Sequence, residues 1–149
     1  MFLHINSKRD DGYHNLQTIF QLLDFYDEIN FSVRDDGKIN RTLGNDDIPL
    51  ANDLMIKSAK KLQKLSGASF GVDIRIIKKI PSGGGLGGGS SNAATTLIAL
   101  NHLWGLELTK QKLIAIGKDI GADVPVFIEG RSSWAEGIGE ILYPLNLPK

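Results

Sequence analysis

Between Pro81 and Asn92 the chain reads Pro-Ser-Gly-Gly-Gly-Leu-Gly-Gly-Gly-Ser-Ser-Asn, and six of its 17 glycines fall within Gly83–Gly89. Glycine loses more backbone freedom on ordering than any other residue, so such a run is costly inside a strand or helix. Two uses remain open to it: a flexible linker, which Gly-Gly-Gly-Ser-Ser resembles in composition, or a loop folded tightly about a ligand. The flanks favour the loop. Ahead of the run, Val72, Ile74 and Ile76 alternate with Asp73, Arg75 and Ile77, which predicts a strand running into Pro81. Behind it, Ala93 to Trp104 reads as a buried helix with Ala94, Leu97, Ile98 and Leu100 apolar and Asn92 as its N-cap. Strand, glycine loop and helix N-terminus in that order make an anion site, because the first N–H groups of a helix lack intrahelical partners and carry the positive end of its dipole. Glycines let the backbone close around phosphate oxygens where a Cβ would collide. Ser90 and Ser91 add hydroxyls that can bind phosphate, or a metal ion on phosphate.

The type of phosphate loop is narrowed by what is missing. A Walker loop needs Gly-Lys-Ser/Thr, and Gly88-Gly89-Ser90 has no lysine. Gly83, Gly85 and Gly88 satisfy G-x-G-x-x-G, but six glycines in seven positions satisfy almost any glycine pattern. The acidic residue that should follow would be Glu107, and Gly105 to Leu108 is too short for the second strand of a βαβ unit.

The rest of the chain supplies a frame for the loop. Phe2 to Ile5 is short and apolar, Ser7 to Gly12 is a polar turn, and Leu16 to Leu23 is rich in apolar and β-branched residues. Ile29, Phe31 and Val33 alternate with Asn30, Ser32 and Arg34, a strand with one buried face closed by Asp35-Asp36-Gly37. Met55, Ala59 and Leu62 mark a helix within Ala51 to Leu65, capped by Asn52 or Asp53 and stopped by Gly67, with Lys57, Lys60, Lys61 and Lys64 on its solvated face. Thr109 begins another helix that Gly121 ends, and Ser133 to Tyr143 reads as a hairpin turning near Gly137-Ile138-Gly139. Strands first, then helices, then strand again predict an α+β fold in one domain. The 149 residues suffice for a real core.

Composition excludes several function classes. The 17 Lys+Arg balance 17 Asp+Glu, which argues against a protein held on nucleic acid by bulk charge. With no cysteine there is no disulfide framework, thiolate metal site or thiol nucleophile. No apolar run approaches the ~18 residues of a membrane span. Met1 to Asn6 shows no basic region followed by an apolar one, so the expectation is a cytoplasmic protein without membrane partners. Taken alone, Asp123 reads as a cap or turn residue beside Val124-Pro125, and Tyr13-His14 as loop packing. His4 and His102 have no partner pattern, and Trp104 and Trp134 read as core.

Pro81 to Thr95 resembles the phosphate loop of the GHMP kinases (galacto-, homoserine, mevalonate and phosphomevalonate kinases), a family with the ribosomal protein S5 domain 2-like fold. Lys8 to Gln17, Gly121 to Phe127 and Ala135 to Glu140 resemble one branch, which phosphorylates the 2-hydroxyl of a cytidine diphosphate-linked methylerythritol in the non-mevalonate isoprenoid pathway. That resemblance implies ATP with Mg²⁺ as the phosphoryl donor. It implies that Pro81, Ser82, Gly83, Gly84, Gly85, Leu86, Gly87, Gly88, Gly89, Ser90 and Ser91 hold the phosphates, and that Asp53 and Leu54 flank the adenine. It further implies Asp123 as the base that takes the hydroxyl proton, and Tyr13 and His14 as the site of the cytosine end. No residue is implied as a metal ligand. The family pattern also holds a Pro-x-Ala-Lys-x-Asn segment ahead of its first strand and a second domain, neither of which is in these 149 residues. The expectation is therefore an N-terminal, ATP-binding domain over residues 1–149 without the C-terminal domain, with a nucleotide-binding domain that transfers nothing, or another GHMP kinase, as the alternatives.

Overall fold

The computed structural model describes residues 3–8, 12, 14–137, 139 and 141–146. Strands β1 (Leu3–Lys8), β2 (His14–Phe20), β6 (Ser133–Glu136) and β7 (Ile141–Pro144) pair antiparallel in the order β1-β2-β6-β7. A three-stranded sheet has β5 (Gly71–Ile77) at its centre, antiparallel to β3 (Glu28–Arg34) and parallel to β4 (Ile39–Leu43). The helices are α1 (Leu54–Ser66), α2 (Gly88–Leu103), α3 (Lys110–Lys118) and α4 (Val124–Glu129). The α+β expectation holds, and so does the closing hairpin, whose Gly137 and Gly139 both take positive φ.

The core lies between β5 and the helices. Val72, Ile74 and Ile76 point to one face of β5 and are buried against Met55, Ala59 and Leu62 of α1 and Ala93, Leu97 and Leu100 of α2. Burying one such aliphatic side chain contributes about 1.5–3 kcal/mol. Trp104 closes the far end, its Nε1–H donating to the Gly71 carbonyl at 3.4 Å. Across the four-stranded sheet, Glu136 Oε1 accepts from Trp134 Nε1 at 3.1 Å and Gln17 Nε2 at 3.0 Å. Those two donors, Trp134 first, hold the Glu136 carboxyl below its usual range.

Three local expectations need correction, and one strand was not expected at all. The strand β4 carries no sequence signal: Ile-Asn-Arg-Thr-Leu is short and polar, and its parallel partner β5 lies beyond the whole of α1, the crossover that parallel pairing requires. On β3, Ile29 and Phe31 pack against the core but Val33 is 42% exposed, because only the first half of this edge strand reaches the helices. On α2, Ile98 is 44% exposed, and the buried face instead includes Thr96, whose hydroxyl donates to the Asn92 carbonyl at 2.8 Å. The helix begun by Thr109 ends at Lys118, ahead of Gly121.

The start of α1 is pinned by a buried ion pair. Asp53 is the N-cap, its Oδ1 accepting from the Met55 N–H at 2.8 Å, and Gly67 in the left-handed region ends the helix. Asp53 Oδ2 takes Arg41 at 2.7 Å and the Asn45 side-chain amide at 3.1 Å. The side chains of Arg41 and Asp53 are only 9% and 1% exposed. Removing one partner of such a pair strands a buried charge, so Asp53→Ala should cost about 3–5 kcal/mol in urea unfolding. Asp53→Asn, which keeps the cap acceptor, should cost less. Equal small losses in both would mean that the pair is hydrated and contributes little.

Candidate active site

Beyond Pro81 the backbone turns through Gly83, Gly85 and Gly87, all at positive φ. Gly87 is the N-cap of α2 at φ 68° and provides no side-chain cap. The first intrahelical bond of α2 runs from the Ser91 N–H to the Gly87 carbonyl at 2.8 Å. The N–H groups of Gly88, Gly89 and Ser90 therefore precede the helical ladder, at the positive end of a 16-residue helix. The helix starts earlier than its apolar pattern predicts. Asn92 lies inside its first two turns and does not cap it, which corrects the N-cap expectation. The last two of the six glycines are thus the first residues of α2 and Gly87 is its N-cap, which a free linker would not be.

A cleft of about 400 Å³ opens beside this first turn. It brings together five residues expected at the nucleotide, namely Asp53, Leu54, Ser82, Gly83 and Gly89, although the Asp53 carboxylate is already committed to Arg41, Asn45 and the cap. Lys78 and Asn92 line it too, and sequence reasoning missed both as site residues. Lys78 falls in an unremarked Lys-Lys pair after β5, and Asn92 was accounted for as a cap.

Both of these side chains meet on Asp27, which also went unnoticed because it lies 51 positions from Lys78 and 65 from Asn92. The Asp27 side chain is 0% exposed and its Oδ2 accepts from Lys78 Nζ at 2.6 Å and Asn92 Nδ2 at 2.8 Å. Its Oδ1 accepts from the backbone N–H groups of Lys79 at 2.7 Å and Ile80 at 2.8 Å. Burial pushes this carboxyl up, but the Lys78 bond, the two N–H groups and Asn92 outweigh it, and its pKa falls below the usual value. A Cβ on Gly88 would lie 2.8 Å from the Ile80 Cγ2 methyl and 3.5 Å from Lys78 Nζ, so the ammonium stands beside the first turn of α2.

Asp123 sits at the N-cap position of α4 and makes no capping hydrogen bond. Its φ of −88° and ψ of −10° are helical, and the residue two places on is Pro125, which has no N–H to offer. Among the described residues no hydrogen bond or ion pair reaches its carboxylate, and burial pushes its pKa up. The segment that carries Asp123 packs on the loop. A Cβ on Gly121 would lie 3.9 Å from Ser90 Oγ, and one on Gly87 2.9 Å from the Phe127 ring. Asp123 is not among the residues lining the cleft. Nor is His14, which stands exposed at the start of β2, opposite Lys8. Tyr13 lies outside the described residues. Among those described, no group of three or more His, Cys, Asp or Glu side chains is placed to hold a metal ion, and no helix is long and apolar enough to cross a membrane.

Residues 53–131 match the GHMP kinases N terminal domain. The chain is 59% identical over 148 residues to a 4-diphosphocytidyl-2-C-methyl-D-erythritol kinase of Ruthia magnifica, covering 99% of this chain and 52% of that protein. It is 53% identical over 149 residues to the enzyme of the same name from Cupriavidus necator, covering 100% and 51%. The chain thus spans about half the length of the curated relatives it matches. A crystal structure of 4-(cytidine 5'-diphospho)-2C-methyl-D-erythritol kinase superposes with a TM-score of 0.81 at 37% identity, over 98% of this chain and 52% of that one. The fold also extends to a homoserine kinase from Cytophaga hutchinsonii, at a TM-score of 0.68 and 20% identity over 82% and 44%.

Two expectations follow from the geometry. A folded-state pKa raised by burial means that the Asp123 carboxyl favours folding while protonated. That contribution is complete below the unfolded pKa and lost as pH rises through the folded one. Asp123→Asn should therefore melt higher than the parent at neutral pH, with the gap closing in acid. A lower melting temperature at neutral pH would make the carboxylate a structural cap. Within the loop, Gly87→Val should lower the melting temperature, since it forces a β-branched residue to positive φ against Phe127. Gly89→Ala should not, because its Cβ meets only Leu54 Cδ1 at an ordinary 3.6 Å. Equal melting of the two variants would remove the steric account of this turn.

Proposed function

The chain belongs to the GHMP kinases through their N-terminal domain, and we propose that it is the nucleotide-binding domain of an ATP-dependent small-molecule kinase acting on the 2-hydroxyl of 4-diphosphocytidyl-2-C-methyl-D-erythritol. The observation that carries this reading is the uncapped first turn of α2, set between β5 and the Asp123 segment. The substrate assignment is supported by relatives of that name at 53–59% identity. We read residues 1–149 as one cytoplasmic domain of this enzyme.

In this reading the N–H groups of Gly88, Gly89 and Ser90 face the phosphates, while Pro81 to Gly87 wraps them. Leu54, with the committed Asp53 beneath it, forms the adenine wall of the cleft. A Mg²⁺ ion bound with the nucleotide would neutralise phosphate charge. The Ser90 and Ser91 hydroxyls, on the first turn of α2, are the side chains that could join the phosphate oxygens in holding that cation. The acceptor hydroxyl oxygen attacks the γ-phosphorus, a new P–O bond forms, and the bond to the ADP oxygen breaks. The hydroxyl proton passes to Asp123, whose carboxylate has no competing partner among the described residues and whose burial strengthens it as a base. His14, with Tyr13 ahead of it, takes the cytosine end, where aromatic stacking on a base is worth ~1–3 kcal/mol.

The decisive measurement pairs binding with turnover. Asp123→Asn should lower ADP release from Mg-ATP and this substrate by ~10²-fold or more while calorimetric ATP affinity stays at the parental level. Parental turnover would return Asp123 to a turn role. Mg-ATP binding by the parent and the variant, with no turnover in either, would favour a nucleotide-binding domain without catalysis.

A further inference from the structure

We propose that Asp27 is a positioning residue for the nucleotide loop, holding the backbone before the glycines and the first turns of α2 in register through Lys78, Asn92 and two backbone N–H groups. The proposal rests on the nucleotide reading given above and adds to it a residue outside the glycine motif.

The geometry gives Asp27 a place no other described side chain has. It precedes β3, yet one of its oxygens takes both N–H groups of Lys79 and Ile80, the last residues before Pro81. Its other oxygen takes Asn92 of α2 and the ammonium of Lys78. One buried carboxylate with four donors therefore ties the strand end, the approach to the glycines and the helix that follows them. Glycines cannot hold a loop by side-chain packing, so its shape depends on how its two ends are fixed. The near end is fixed by Asp27 Oδ1, and the far end by Oδ2 through Asn92. Ile80, held in this way, is also the side chain that meets Gly88. Four charge-assisted bonds to one buried group are individually strong and hard to replace with water.

A second role for Asp27 is physically available, and it predicts the opposite sign. Were the carboxylate only a counter-charge, its removal would leave the Lys78 ammonium unpaired beside an anion site, and phosphate ligands would bind more tightly. Were it a positioning group, the loop ends would separate and binding would weaken despite the freed cation. The sign of the change distinguishes them.

The test is Mg-ATP affinity of the whole chain by calorimetry, well below each variant's melting midpoint so that only folded protein is read. Asp27→Asn removes the charge, and Asp27→Glu keeps the charge but moves the carboxylate by one methylene. Both should bind about tenfold more weakly or worse, a loss equivalent to about 1.4 kcal/mol or more. Asp73→Asn is the structural control. Asp73 bonds Arg34 at 2.8 Å and Asn40 at 2.9 Å on the same sheet, so its loss should lower the melting temperature and leave ATP affinity unchanged. If Asp27→Asn does not fold, Asp27→Glu and Asn92→Ala carry the test, each expected to weaken binding without altering the charge. Tighter binding by Asp27→Asn, or parental affinity in Asp27→Glu and Asn92→Ala, would overturn the positioning role and leave the nucleotide reading standing. A parent chain that binds no Mg-ATP would instead overturn the nucleotide reading, and this inference with it.

Discussion

The first turn of α2 has N–H groups that no side chain of its own cap satisfies, and the surrounding structure is arranged around that fact. The helix behind the turn is fixed by Ala93, Leu97 and Leu100 against β5. The glycine turn ahead of it is wedged against Phe127 and Ile80. A helix N-terminus left open costs stability unless water or a ligand completes it. Here it opens beside a cleft, and its orientation is set by the packing of α2 into the hydrophobic core. The rigidity of the core is thereby lent to a loop that has almost no side chains.

Three carboxylates show how burial is put to different uses in one small domain. Asp53 is buried and fully bonded, so it fixes α1 and, with it, one wall of the cleft. Asp27 is buried and bonded to four donors, two of them from the backbone. Asp123 is the exception: partly buried, at an N-cap position where Pro125 removes one N–H that a cap would use. Among the described residues nothing pairs with that group, and the burial that raises its pKa makes ionising it unfavourable. A group that the fold disfavours and has not paired is a candidate for chemistry rather than architecture.

Much of this was legible in the sequence, for reasons that differ by element. The period-2 apolar pattern of β5 and the Met55, Ala59, Leu62 stripe of α1 report directly on burial, and Asp53 and Gly67 obey local capping rules. The glycine run, read with its flanks, announced a strand-to-helix loop, and the structure has one, with Gly87 as the uncapped N-cap of α2. What escaped was non-local. The short polar β4 exists because β5 pairs with it in parallel, across a crossover that no local pattern announces. Asn92 has the right chemistry for a cap and was read as one, but glycines can start a helix with no cap when backbone N–H groups are meant for something else. Asp27 sits in a turn-like Asp-Phe-Tyr-Asp stretch, and only the fold shows that its partners come from two distant parts of the chain, residues 78–80 and Asn92. His14 and Asp123 were singled out by motif alone, and neither lines the cleft.

The density of glycine then has an electrostatic explanation as well as a steric one. Lys78 is the ammonium beside the first turn of α2, but it lies 2.6 Å from a buried carboxylate, so the pair presents little net charge to the cleft. On the proposed reading, a phosphate site whose Lys78 is paired would draw its positive potential from backbone dipoles and from a cation carried by the ligand. The field of a dipole falls off faster with distance than that of a charge, so N–H groups act strongly only when the backbone comes within hydrogen-bond reach. Each Cβ on that surface would hold the ligand away from the donors that must do the binding. A loop that pairs its lysine with Asp27 therefore has to be bare, and six glycines between Gly83 and Gly89 make it so.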